Sequence, residues 1–179
     1  TLAVAGTPVD IAYVGSRTLK QFAENDLIVP VPMSDAEKAA YYNYVPDTVT
    51  FDGTQWGIPV AFSTKALFWN KDLFEAAGLD PETPPKTWDD LIEWAAALTN
   101  PDKNQYGITV LGERNETATF MWLPFVQQTG EDIDSLDSEG GRAALQLYVD
   151  LVENGYLSPE VVNYGFGDIP GQFMAGNAA

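Results

Sequence analysis

The chain has 179 residues, with 26 Asp plus Glu against 9 Lys plus Arg, no histidine, no cysteine and a formal net charge of −17. That balance argues against a nucleic-acid or anionic-membrane partner, since both demand a basic footprint. Without His or Cys there is no imidazole base, no thiolate nucleophile, no disulfide and no soft-metal site, so neither a metal nor a cofactor is implied. Acidity on this scale serves solubility first, with life in high salt as the sharper reading. No apolar run approaches the roughly 20 residues of a membrane span, and the length suits one good core or two small ones.

In chain order, residues 10–14 predict a short buried strand, and Gly15-Ser16 a turn into a helix over 17–24. Ser34 with Glu37 makes a capping box for a helix from 35 to about 44. Asp52-Gly53 is a hairpin turn joining 49–51 to a strand that runs through Gly57. Strands at 57–62 and 66–69 are predicted from their aromatic and apolar content. Between them Ser63-Thr64-Lys65 is small and polar, as where a chain leaves one core and enters another. Asn70 caps a helix over 71–77, which Gly78 stops in a left-handed conformation. Pro84-Pro85 forces an extended approach to Thr87, whose hydroxyl and Asp90 start a helix at Trp88–Leu98.

A strand over 106–111 and a helix over Glu116–Gln128, ended by Gly130, come next. Asp137 or Ser138 then caps Glu139–Glu153, Gly155 stops it, and a last helix covers about 170–175. The alternation is α/β throughout. Trp56 and Trp69 are expected in the core, and Trp88 as the anchor of its helix on the sheet. The acidic run 131–139 lacks the central glycine and alternating oxygen ligands of an EF-hand loop, so it is expected to be a solvated lead into a helix.

The stretch GIPVAFSTKALFWNKDLFEAAGL followed by PPKTWDDL resembles the middle of the family 1 extracellular solute-binding proteins, the maltose-binding-protein-like receptors of ABC importers. Pro8-Val9-Asp10-Ile11 and Gln105-Tyr106-Gly107-Ile108 are similar to the openings of that family's core strands. Ala143-Ala144-Leu145, Asp150-Leu151-Val152 with Gly155, and Phe173-Met174-Ala175-Gly176 are similar to its later helices. The resemblance implies an α/β, periplasmic-binding-protein-like (type II) two-lobed fold, incomplete at both ends because family members are much longer. Residues 1–61 would be part of the N-terminal lobe, 62–65 the hinge crossing and 66–179 part of the C-terminal lobe. It further implies an extracytoplasmic receptor, periplasmic or at the cell surface, with its export signal or anchor upstream of this chain. Such a receptor captures a mono- or oligosaccharide between two lobes, closes about the hinge and delivers the sugar to the transmembrane subunits of an ABC permease.

Three loops suit such a ligand, because in open α/β sheets ligands lie beyond the carboxyl ends of strands and at domain junctions. In the first, Tyr13 offers a stacking face and Ser16 and Arg17 offer hydrogen bonds, with Tyr13 as strand core and Ser16 as a helix N-cap the competing readings. The family's acidic contact is missing from Gly15-Ser16-Arg17. The second is the crossing, with Phe62 as an apolar platform or a core residue, and Ser63 and Thr64 at its edge. In the third, Glu116, Phe120 and Trp122 follow Glu113, Arg114 and Asn115. Phe120, Leu123 and Val126 fall on one buried helical stripe, and Trp122 lies off it. The alternative function is a glycosidase-like enzyme using Glu113 and Glu116. It is the weaker reading, since glycosidase carboxylates must flank the scissile bond and these two share one loop; the leading reading is a non-enzyme.

Overall fold

The computed structural model describes residues 9–179, which leaves Pro8 of the quoted stretch outside the described residues. The chain forms two compact units, Thr1–Thr64 and Lys65–Ala179. Among the described residues no helix is long and apolar enough to cross a membrane.

In the first unit, helix α1 (Ser16–Glu24) turns Leu19 inward against the 3-10 turn Pro46–Val49. Among its described residues Leu19, Met33, Val45 and Val49 are buried apolar side chains. Gly15, in extended backbone, is the N-cap of α1, and Ser16 is its first helical residue rather than its cap. The capping box forms as expected: the Glu37 N–H donates to the Ser34 hydroxyl at 3.3 Å, and the Ser34 N–H donates to Glu37 Oε2 at 2.7 Å. The helix it opens, α2 (Asp35–Lys38), stops well short of 44. None of its residues is buried, so no packing carries it beyond a single turn.

Strands β1 (Thr50–Phe51) and β2 (Thr54–Gln55) pair antiparallel through Asp52 and Gly53. Both turn residues have positive φ, 51° and 74°, the backbone that a two-residue hairpin turn of opposite hand to the common turns requires. The ladder ends at Gln55 rather than Gly57. Residues 10–14 form no strand: Ile11 is 91% and Tyr13 80% exposed, and no neighbouring segment among the described residues pairs with them. Residues 57–62 carry no ladder either. Pro59 has no N–H to give, while Ile58, Val60 and Phe62, on alternating positions, are exposed.

The second unit holds α3 (Lys71–Ala76), α4 (Trp88–Leu98), α5 (Glu116–Gln128), α6 (Glu139–Glu153) and α7 (Asp168–Met174). Their starts follow the sequence closely. Asn70 Oδ1 accepts from the Leu73 N–H at 3.2 Å. Thr87 and Asp90 form the capping box of α4, and Ser138, not Asp137, caps α6 through the Gly141 N–H at 3.1 Å. Gly78, Gly130 and Gly155 take the left-handed backbone expected at the helix stops. The last helix begins at Asp168, two residues before the predicted start.

The predicted strands are again the weak point. Residues 66–69 carry no ladder, and Asn70 reaches Ala179 O by one bond of 2.9 Å. Residues 106–111 make two single parallel bridges, Tyr106 with Ala178 and Ile108 with Leu157. Each partner segment lends one residue at a time, so the backbone is extended and buried without a continuous ladder.

The core collects Ala95 from α4, Leu147 and Leu151 from α6, Ile108, Val110 and Leu157 from the segments between helices, and Val161 from the 3-10 turn Pro159–Asn163. Fully burying side chains of this kind contributes about 1.5–3 kcal/mol each. A Cβ added at Gly107 would run into the Ala95 carbonyl, so glycine is what lets this segment lie against α4. Trp69 is half-buried beside Phe74, Leu98 and Ala179 and donates to Pro81 O at 2.9 Å. Trp88 anchors α4 on α5 rather than on a sheet, donating to Gln128 Oε1 at 2.8 Å with its ring centroid 6.2 Å from that of Phe125.

Candidate ligand-binding site

The short reach of α2 leaves Tyr41, Tyr42, Asn43 and Tyr44 in open turns, and their aromatic rings meet the segment that follows the hairpin. The Tyr41 hydroxyl donates to Pro59 O at 2.9 Å, which ties the two segments together. Tyr42 and Tyr44 stack with ring centroids 6.2 Å apart and planes 9° from parallel. Phe62 stands against Tyr42 at 5.8 Å and 88°, the edge-to-face geometry that aromatic quadrupoles favour. The corner opens into a hollow of 370 Å³ lined by Ala40, Tyr41, Tyr42, Val45 and Phe62. Val45 is its buried floor, while Tyr42, Tyr44 and Phe62 are 67%, 60% and 62% exposed. No charged side chain lines it.

Of the residues expected from sequence in this unit, Phe62 is the one that lines the hollow. Ser63 and Thr64 follow it directly, both exposed. Tyr13 is exposed ahead of α1, and Ser16 and Arg17 form the first helical positions of α1. The run Tyr41-Tyr42-Asn43-Tyr44 was the available signal for the aromatic corner, hidden by extending a helical reading across it.

In the second unit, Asn115 Oδ1 accepts from the N–H groups of Thr117 and Ala118 at 2.9 and 3.3 Å. That cap sets Glu116 at the first helical position of α5, where a carboxylate suits the helix dipole. Phe120, Trp122 and Leu123 are half-buried and Val126 is sealed. The Trp122 indole N–H is enclosed and has no acceptor among the described residues. Its neighbour Met121 accepts a hydrogen bond from the Tyr148 hydroxyl at 3.3 Å, and burial pushes the Tyr148 phenol above its ordinary range. Glu113 departs from Glu116: a Cβ on Gly165 would lie 3.0 Å from Glu113 Oε2 and 3.6 Å from Asp168 Oδ2. Glu113 thus faces the turn before α7. Among the described residues no group of three or more acidic side chains gathers to hold a metal ion.

The corner thus offers exposed aromatic faces, tyrosine hydroxyls and an uncharged hollow. The family profile described as bacterial extracellular solute-binding protein matches residues 1–179. A protein of Brucella abortus named as a binding protein is 31% identical over 179 residues, 96% of this chain and 43% of its own length. The sn-glycerol-3-phosphate-binding periplasmic protein of Escherichia coli K12 is 60% identical over 40 residues, 22% of this chain and 9% of its own. Among solved structures, an ABC transporter solute-binding protein of Thermotoga lettingae, bound with α-D-tagatose, matches with a TM-score of 0.72 at 30% identity. The match covers 90% of this chain and 44% of that one. The chain therefore spans less than half the length of these relatives, and its fold is that of part of a type II, maltose-binding-protein-like receptor. By the match along its whole length, this chain belongs to the bacterial extracellular solute-binding proteins.

Proposed function

We propose that the chain serves in an extracytoplasmic receptor that captures a carbohydrate between two lobes and delivers it to an ABC permease. The observation that carries this reading is the uncharged aromatic corner of Tyr42, Tyr44 and Phe62 around a 370 Å³ hollow. Its size falls in the range of small-molecule sites, about 300–1,000 Å³. Aromatic faces suit the C–H faces of sugars, and hydroxyl-bearing residues suit their edges. The relative from T. lettingae was solved with a ketohexose, which supports the same ligand class. Tyr13, Ser16, Arg17, Phe62, Ser63 and Thr64 would contribute from one lobe, and Glu116, Phe120 and Trp122 from the other. The polar crossing at residues 62–65 would act as the hinge, with ligand contacts from both lobes favouring the closed state.

The glycosidase reading is not favoured, because Glu113 turns toward Asp168 while Glu116 opens α5. The test is a thermal-shift screen of the full chain against mono- and disaccharides, with chromatography of the recovered sugar. Saturable binding with the sugar returned intact is the expected result. Hydrolysed product would move the assignment to the enzyme, and no stabilisation by any carbohydrate would remove the receptor reading. Loss of uptake of the same sugar in cells lacking the receptor would test delivery to the permease.

A further inference from the structure

Helix α5 is divided by its own sequence. Pro124 sits inside it, and a ring without an N–H takes one backbone donor out of the ladder and crowds the turn before it. The two halves are also held differently. Beyond the proline Val126 is sealed, and the Phe125 ring lies 6.2 Å from Trp88 of α4 and 5.5 Å from Tyr148 of α6. Gln128, at the end of the same half, accepts from the Trp88 indole N–H at 2.8 Å. Before the proline no residue of α5 is buried, and Glu116 and Thr119 are exposed. Across to this looser half runs the hydrogen bond from the Tyr148 hydroxyl to Met121 O, at 3.3 Å.

We infer that Tyr148 is a positioning residue: its hydroxyl sets the angle at which residues 116–123 leave the core, and with it the placement of Glu116, Phe120 and Trp122. The inference rests on the receptor reading above, which gives those three residues to the ligand, and adds what holds them in place.

The Tyr148 ring packs edge-to-face on Phe125 at 87°, on the firmly held side of the proline, while its hydroxyl donates to the other side. One side chain thus spans the weakest point of the ladder. Burial pushes the phenol above its ordinary range, so the group stays a neutral donor wherever the fold persists. The turn that it holds is not placed by local preference alone. The Trp122 indole N–H is enclosed there without an acceptor among the described residues, a costly position for a donor. A turn left to its own hydrogen bonding would rotate to relieve that donor, and a tie from outside the helix opposes the rotation.

The experiment compares the full chain with Tyr148→Phe, Pro124→Ala and the double variant. Tyr148→Phe keeps the ring against Phe125 and removes the hydroxyl alone. Amide hydrogen exchange is followed residue by residue by NMR without ligand, and sugar affinity by calorimetry with mono- and disaccharides. In Tyr148→Phe the amides of residues 117–123 should exchange several-fold faster, while those of 126–128 and of α4 keep the parent's rate. Sugar binding should weaken roughly threefold to tenfold, the worth of about one hydrogen bond. Where Pro124→Ala restores the backbone donor, both effects of Tyr148→Phe should shrink, which the double-mutant cycle reads directly. Unchanged affinity in Tyr148→Phe, whatever happens to its urea stability, would make Tyr148 a packing residue and overturn the inference. Unchanged exchange over 117–123, or equal effects with and without Pro124, would overturn it as well. If no carbohydrate binds the parent, the receptor reading falls by itself, and the exchange pattern alone decides whether Tyr148 holds this turn.

Discussion

Between Lys65 and Ala179, helices α4, α5 and α6 close over Leu147, Leu151, Leu157 and Val126, and the aromatic residues Trp88, Phe125 and Tyr148 pack around that core. Up to Thr64 the picture is different. Among the described residues there, Leu19, Met33, Val45 and Val49 are buried, while Tyr42, Tyr44, Ile58, Val60 and Phe62 stand exposed. Both regions hold aromatic residues: in the second Trp88, Phe125 and Tyr148 pack around the core while Phe68 and Phe166 are exposed, and in the first Tyr42, Tyr44 and Phe62 stand together on the surface. Aromatic residues held in a fixed geometry without contributing to a core are available for a ligand. Under the proposed receptor reading, stability would rest mainly on the second unit and ligand recognition largely on the first.

Core truncation should show the contrast at its sharpest. Leu151→Ala is expected to cost about 3 kcal/mol in urea unfolding, within the range for buried leucines. Tyr44→Ala, on an exposed ring, is expected to cost no more than about 0.5 kcal/mol. Equal losses at the two positions would erase the distinction. Gly107→Ala should come next, at about 2–3 kcal/mol, because its new methyl would meet the Ala95 carbonyl and push α4 away. A variant as stable as the parent would show that the segment can withdraw.

Smaller effects come from the helix ends. Thr87→Ala should cost about 1 kcal/mol by removing the hydroxyl that accepts from the Asp90 N–H at 3.1 Å. Three exposed carboxyls, Asp90, Glu37 and Asp80, are held below their ordinary range. The leading causes are the Lys86 N–H for Asp90, the Ser34 hydroxyl for Glu37 and the Thr83 hydroxyl for Asp80. A carboxyl depressed in the folded state adds stability above its unfolded pKa, about 3.9 for Asp and 4.3 for Glu. That contribution disappears as pH falls through the lower folded values. Stability should therefore decline on acidification from about pH 5, and Thr87→Ala should show a shallower decline. An identical acid profile in that variant would mean that the cap does not set the Asp90 ionisation.

Helix boundaries were legible because they are local. Asn70, Thr87 with Asp90, Asn115 and Ser138 each satisfy the first backbone N–H groups of the helix they start, and Gly78, Gly130 and Gly155 accept the stopping conformation. Strands were not legible in the same way. Residues 57–62, 66–69 and 106–111 have strand-like composition, but a ladder needs a partner at the right register, and composition does not supply one. The aromatic corner was half visible. Phe62 was singled out as a platform, whereas Tyr42 and Tyr44 were absorbed into a helix that α2 never becomes. The start of α1 was read one residue too late, with Ser16 as a cap, because Gly15, with no side chain to offer, holds that position.

Hydrogen exchange read by mass spectrometry, with and without a saturating pyranose sugar, tests the division between recognition and stability most directly. Peptides covering 41–64 and 113–122 should exchange more slowly in the complex. Peptides from α4 and α6, already protected by the core, should be unchanged. Protection confined to α4 and α6, with 41–64 unaffected while the sugar is bound, would contradict the account.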